Sequence, residues 1–153
     1  MDGKLELNRN YTSKTMSYPS NNNEEIPSFN LNEIDKDLFD TTADKCAKVI
    51  SKANNSNGGK KQNQPTQLRR FYDELVLYYD RIGNSENTFN NTLPFIYMIK
   101  SKVAYAEGRG NVDVVFKTFM NNLINQIKDI QTLKNAKLFM EAVMGFYKGY
   151  AKD

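Results

Sequence analysis

The residues of this chain best placed to act on something are Lys102, Tyr105 and Arg109. Successive helical residues turn by about 100°, so these three fall within roughly 60° of one another, on the side facing away from the Ile96, Ile99 and Val103 stripe. Two cations flanking an aromatic ring suit nucleic acid: Lys and Arg neutralise phosphates, while Tyr stacks on a base or supports the guanidinium. The same strip also fits a plain solvated helix face with Tyr105 packed under a neighbouring loop. Lys100 points roughly the opposite way, towards a different surface. Arg69 and Arg70 form a second cluster in the expected first turn of their helix, where the positive end of the macrodipole disfavours a cation by about 0.3–1 kcal/mol. Local pairing with Asp73 and Glu74 at i,i+4 is one compensation, although a cation on the N-terminal side is the weaker orientation. The other is that free backbone N–H groups and two guanidinium forks together hold a phosphate.

Other chemistries are closed off. The chain has no histidine, which excludes a histidine general base, a histidine-ligated metal and any nucleophile activated by histidine. One cysteine, Cys46, has no partner for an internal disulfide, and its neighbours Ala43, Ala47 and Ile50 predict a buried, inert thiol. The acids Asp73, Glu74, Asp80, Glu86, Glu107, Asp113 and Glu141 form no cluster with metal-ligand spacing, and scattered helix-surface acids give no paired catalytic carboxylates. There is no Walker-type phosphate loop, and GRGN at 108–111 reads as a helix stop followed by a cap. The expectation is no catalytic residue, no metal and no cofactor.

The elements that must position these groups are helical. Residues 1–30 are rich in Asn, Ser, Thr and Tyr without a helical or strand period, and are expected to form a disordered tail. From 31 to 53 the apolar spacing predicts one bent helix or two pieces, with Thr41 and Asp44 resembling a capping box. NNSNGGKKQNQ at 54–64 reads as a flexible basic loop. Pro65 and Thr66 open a helix with Leu68, Phe71, Tyr72, Leu75, Tyr79 and Ile82 on one apolar face, stopped by Gly83 and Asn84. A polar loop follows, and Thr92 and Pro94 start a helix that Gly108 ends. Asn111 is expected to cap the next, from Val112 to Ile127. The last runs from Thr132, with Phe139, Val143, Phe146 and Tyr150 on one stripe. The pairs Phe71/Tyr72, Tyr78/Tyr79 and Phe146/Tyr147 have the spacing that core packing requires, which leaves only a flanking ring of each free to meet a ligand. No run alternates with period 2. The fold class is therefore all-α: a single compact bundle of about five helices over 31–153, behind the 1–30 tail.

A chain of 153 residues with 39% hydrophobic and 25% charged residues suits one such domain. It lacks an apolar run long enough to span a membrane and a signal-peptide h-region, so a cytoplasmic protein is expected. The formal charge of +3 conceals an asymmetry. Residues 1–44 carry four Lys or Arg against nine Asp or Glu, a net −5, whereas 45–153 carry seventeen against nine, a net +8. The folded part thus presents a positive field that draws polyanions without specifying which.

Three segments, TQLRRFYDEL at 66–75, LPFIYMIKSKVAYAEGRG at 93–110 and LFMEAVMGFYKGY at 138–150, occur in the order and at the separations of the Csm small subunit of type III-A CRISPR complexes, and over roughly residues 41–152 the chain resembles that family. The tail and the NNSNGGKK loop lie outside the pattern. The resemblance implies a small five-helix protein of the prokaryotic cytoplasm with no active site, serving antiviral defence as a non-catalytic subunit of the interference complex. Its implied partners are CRISPR RNA and target single-stranded RNA, held through backbone contacts independent of sequence. The others are the RNA-cleaving backbone subunit, the large polymerase-like subunit and neighbouring small-subunit copies. Carried onto this chain, the family's basic positions are Arg69, Arg70, Lys100, Lys102 and Arg109, with Lys148, Lys60 and Lys61 as further candidates. A different class remains open beside it: a helical protein–protein adaptor whose basic surface meets an acidic partner. A small helical nuclease is disfavoured, because the Arg–His pairs such enzymes use have no histidine here.

Overall fold

The structure, a computed structural model, describes residues 25–55 and 59–151. Among these there are six α-helices and no strand: α1 (Ala43–Ser51), α2 (Pro65–Ile82), α3 (Glu86–Tyr97), α4 (Ile99–Gly108), α5 (Val114–Asn125) and α6 (Ile130–Tyr150). Only Met98 separates α3 from α4. Counted as one bent rod, they give the five rods that the apolar periodicity predicts. The long α6 is the spine, with α1 and α2 packed on it, while α4 lies on α5.

Each rod turns one apolar stripe inward. Ala43, Cys46, Ala47 and Ile50 are fully buried on α1, at the i, i+3, i+4, i+7 spacing of a single helix face. Leu68, Phe71, Leu75 and Ile82 do the same on α2, and Phe139, Met140, Val143 and Tyr147 on α6. Burial pushes the Cys46 thiol up to about 12, as expected of an inert core sulfur. Phe119 and Phe139 meet at 6.0 Å between ring centres, and Phe29 packs on both, at 5.7 and 4.6 Å. The packed chain therefore begins before Leu31, inside the stretch read from sequence as a tail; the rest of that expectation, residues 1–24, lies outside the described residues.

The helix starts differ from their sequence expectations in instructive ways. α1 has no Thr41–Asp44 capping box: a π-helical turn, Leu38–Thr42, runs straight into it, and Thr42 makes no side-chain cap bond. The third helix starts not at Thr92 but at Glu86, where the Ser85 side chain accepts from the Thr88 N–H at 3.1 Å. Pro94 consequently sits inside α3 and withholds the backbone donor that would have met the Asn90 carbonyl. The cap of α5 is Asp113, accepting from Phe116 N–H at 2.9 Å, and not Asn111. Gly110 takes a positive φ of 77°, a turn that swings the chain into that cap. At α6, Asp129 and Thr132 form the reciprocal capping box.

Part of the expected flexible loop is anchored. Asn63 is fully buried and left-handed, with φ 56°. Its amide Nδ2 donates to Ile50 O at 3.0 Å and to Asp113 Oδ1 at 2.8 Å, and its Oδ1 accepts from Asp113 N–H at 3.0 Å. Its carbonyl accepts the Tyr147 hydroxyl, so one residue ties α1, the approach to α5 and the end of α6 together.

Candidate nucleic-acid interface

The start of α2 is placed by Pro65 at its first position and by Gln64, whose carbonyl accepts from both Gln67 N–H at 2.8 Å and Leu68 N–H at 3.2 Å. One of the backbone donors invoked for a phosphate site, Gln67 N–H, is thus already engaged. Arg69 and Arg70 fall in the second turn rather than the first, beyond the strongest part of the macrodipole. What they contribute rests on their guanidinium groups alone.

Two grooves flank this segment. The first, of about 670 Å³, lies between α2 and α4 and is lined by Arg70, Glu74, Lys102, Tyr105 and Arg109, with Gln67, Ser101 and Asn111 between them. Four of the nine residues singled out from sequence therefore meet in one place. Tyr105 is 67% exposed, so its ring stands in solvent and not under a loop. The Arg109 guanidinium sits 5.8 Å from the centre of that ring and donates to the Tyr105 hydroxyl at 3.2 Å. Arg70 makes no ion pair with any described residue. Lys102 donates from Nζ to Glu74 Oε2 at 2.8 Å, and that hydrogen bond holds its ammonium above the usual lysine range, against a smaller opposing effect of burial. Lys60 reaches the same end of the groove by donating to Asn111 Oδ1 at 2.6 Å.

The second groove, of about 1020 Å³, lies between α2 and α6 and takes in Arg69, Arg70, Asp73, Glu141 and Lys148 over a floor that includes Leu68 and Met144. Arg70 borders both grooves. This one is of mixed charge: Arg69 pairs with Asp73 at 3.4 Å, the i,i+4 contact anticipated from sequence, and Tyr72 donates to Glu141 Oε1 at 2.6 Å. Burial first, then the Glu141 carboxylate, pushes the Tyr72 phenol up to about 12. Lys100 lines neither groove; its ammonium donates to Asn125 Oδ1 at 2.6 Å and lies 4.7 Å from the centre of the Tyr97 ring.

Sequence reasoning missed Glu74 and Gln67 as groove residues. Glu74 was visible only as a helical neighbour of Arg70, and the cross-helix partner it takes instead depends on how α2 packs beside α4. Gln67 Oε1 is buried without a donor among the described residues, which no local pattern announces. Among the described residues no group of three His, Cys, Asp or Glu is placed to hold a metal ion, and no helix is long and apolar enough to cross a membrane.

Fold and grooves together define a small all-helical bundle whose exposed cations and one exposed ring converge beside α2. The model of the family Csm2 Type III-A matches residues 38–153, which take in every helix of that bundle, and the chain belongs to that family as a Csm small subunit. One similar relative, a protein of Streptococcus thermophilus called CRISPR system Cms protein Csm2, is 26% identical over 109 residues, 70% of this chain and 88% of the relative. No solved structure matches. Membership in the family makes this a component of a multi-subunit Csm complex.

Proposed function

We propose that this subunit holds CRISPR RNA and its paired target RNA in the type III-A interference complex through phosphate contacts independent of sequence, and does no chemistry on them. The observation that carries the reading is the convergence of Arg70, Lys102 and Arg109 around the exposed Tyr105 in one groove, with Arg70 held by no carboxylate. Guanidinium and ammonium groups placed this way sit on phosphates, and the phenol ring offers a face to a splayed base of any type. Sequence is then read by base pairing between guide and target, and the protein recognises charge and strand geometry. Lys60 extends the basic lining at one end.

The neighbouring groove, with its apolar floor and alternating charges, is suited to protein and not to a polyanion. The other Csm subunits, among them the RNA-cleaving backbone subunit, the large polymerase-like subunit and adjacent small-subunit copies, are its fitting occupants, and the assembly works in the cytoplasm in antiviral defence.

The triple variant Arg70→Ala/Lys102→Ala/Arg109→Ala tests the assignment against unstructured RNAs of two unrelated sequences over a range of salt. Binding should weaken equally for both, and the slope of log affinity against log salt should flatten by roughly 2, about 0.7 for each phosphate contact removed. Lys100→Ala should change neither. Unaltered RNA affinity in the triple variant, or purification with an acidic protein and no nucleic acid, would favour the adaptor instead.

A further inference from the structure

Among the cations of the α2–α4 groove stands one carboxylate, Glu74. Its side chain is 17% exposed, against 45% for Lys102, and its Oε2 accepts from Lys102 Nζ at 2.8 Å and from the Tyr78 hydroxyl at 3.5 Å. Along its own helix the partner at i−4 is Arg70, yet that pair is not made; Glu74 reaches across to α4 and leaves Arg70 open. Arg109 likewise has no ion pair with a described residue and leans on Tyr105 instead. Of the three cations in the groove, one alone is matched by an internal anion.

We propose that Glu74 is a built-in competitor of phosphate: Lys102 reaches a nucleic-acid phosphate here only by giving up the Glu74 carboxylate, so Glu74 sets the groove's affinity below what its cations alone would provide. This rests on the RNA reading above. When a phosphate takes Lys102, the Glu74 carboxylate loses its strongest hydrogen bond, and that loss is set against the binding. The strand then binds against Glu74. The opposite arrangement is chemically distinct: an ammonium has three donors, and if Lys102 kept one on Glu74 while giving another to phosphate, Glu74 would orient the lysine and help binding.

The two are separated by titrating the full chain, Glu74→Gln, Lys102→Ala and the Glu74→Gln/Lys102→Ala pair with a fluorescent polyuridine oligonucleotide at several salt concentrations, with thermal melts confirming that each is folded. Should Gln lower the melting point, Glu74→Ala supplies a second neutralisation. Glu74→Gln is expected to bind about threefold tighter, the scale of a partly exposed ion pair. Its salt slope should steepen by roughly 0.7, and the gain should vanish in the Lys102→Ala background. Binding equal to or weaker than that of the parent overturns the assignment, as does a gain that persists without Lys102. An Arg70→Ala/Arg109→Ala variant tells the two levels apart. If it binds as tightly as the parent, the RNA reading falls and Glu74 with it; if it binds poorly while Glu74→Gln is unchanged, only the role of Glu74 falls.

Discussion

Buried beside Ile50, Asp113 and Tyr147, the Asn63 side chain uses both its donor and its acceptor, and its backbone holds a conformation that few residues adopt. Asn63→Ala removes the amide and also places a Cβ without local compensation in the left-handed region, so a loss of about 2–4 kcal/mol is expected. Asn63→Gly keeps the backbone freedom and loses only the side-chain bonds, so it should lie about 1 kcal/mol above the alanine variant in urea denaturation. Equal stabilities for the two would show that the left-handed turn contributes nothing. At this scale the sequence reveals residue types but not their neighbours. The strip Lys102, Tyr105, Arg109 was legible because all three share a helix and helix geometry is fixed. Asn63 was not, since it sits in a run of Asn, Gly and Gln where nothing local distinguishes the one amide that meets Ile50 O. Glu74 lay between these cases: its position on α2 was legible, its choice of Lys102 over Arg70 was not.

At the level of elements, apolar periodicity found every rod, while the boundaries were decided by side chains that cap or bend. Glu86–Tyr97 reads as a loop at its start because ENTFNNT offers one strong apolar residue, Phe89, and yet Ser85 caps it and Phe89 is buried. A proline within the first turn usually marks a helix start, and the same residue a turn and a half further on marks a bend; without the cap assigned, the two are indistinguishable. The start of α6 allows the cap itself to be tested. Asp129 accepts from Thr132 N–H and from the Thr132 hydroxyl, both at 2.7 Å, and those bonds, the backbone one first, hold its carboxyl below the usual aspartate range. A depressed pKa in the folded state means stability that is present above the ordinary aspartate value, near 4, and lost as pH falls through the folded one. Asp129→Ala should therefore cost about 1 kcal/mol at pH 7. The gap between variant and parent melting temperatures should narrow as the pH is taken down to about 2, since the protonated parent has then lost the same anion. A gap independent of pH would mean that packing and not the charged cap is what the substitution removes.

Over the whole molecule, the contacts that sequence periodicity could not foresee are those joining segments about a hundred residues apart. The chain enters the bundle as a strap, with Leu31 fully buried and its backbone clasped on both sides: Gln126 Oε1 accepts Leu31 N–H at 2.7 Å, and Asn135 Nδ2 donates to Leu31 O at 2.8 Å. Gln126 also donates through Nε2 to Phe29 O at 2.9 Å, and so fixes the residue whose ring lies on Phe119 and Phe139. The strap has no helical bonds of its own, so its polar backbone is buried only because two amide side chains from the end of α5 and from α6 replace water. Removing them separates this role from apolar burial, since Phe29 and Leu31 are left unchanged. Gln126→Ala and Asn135→Ala should each cost about 1–3 kcal/mol through an unsatisfied buried group. The double variant should cost less than the sum, because once one amide is gone the strap lifts and the other loses its partner. Limited proteolysis reads the same event locally: cleavage between Ile26 and Leu31 should quicken in either variant while α2 and α4 stay protected, leaving the cationic groove in place. Parallel loss of protection in α2 would instead mean that the strap closes the whole bundle, and that the groove depends on it.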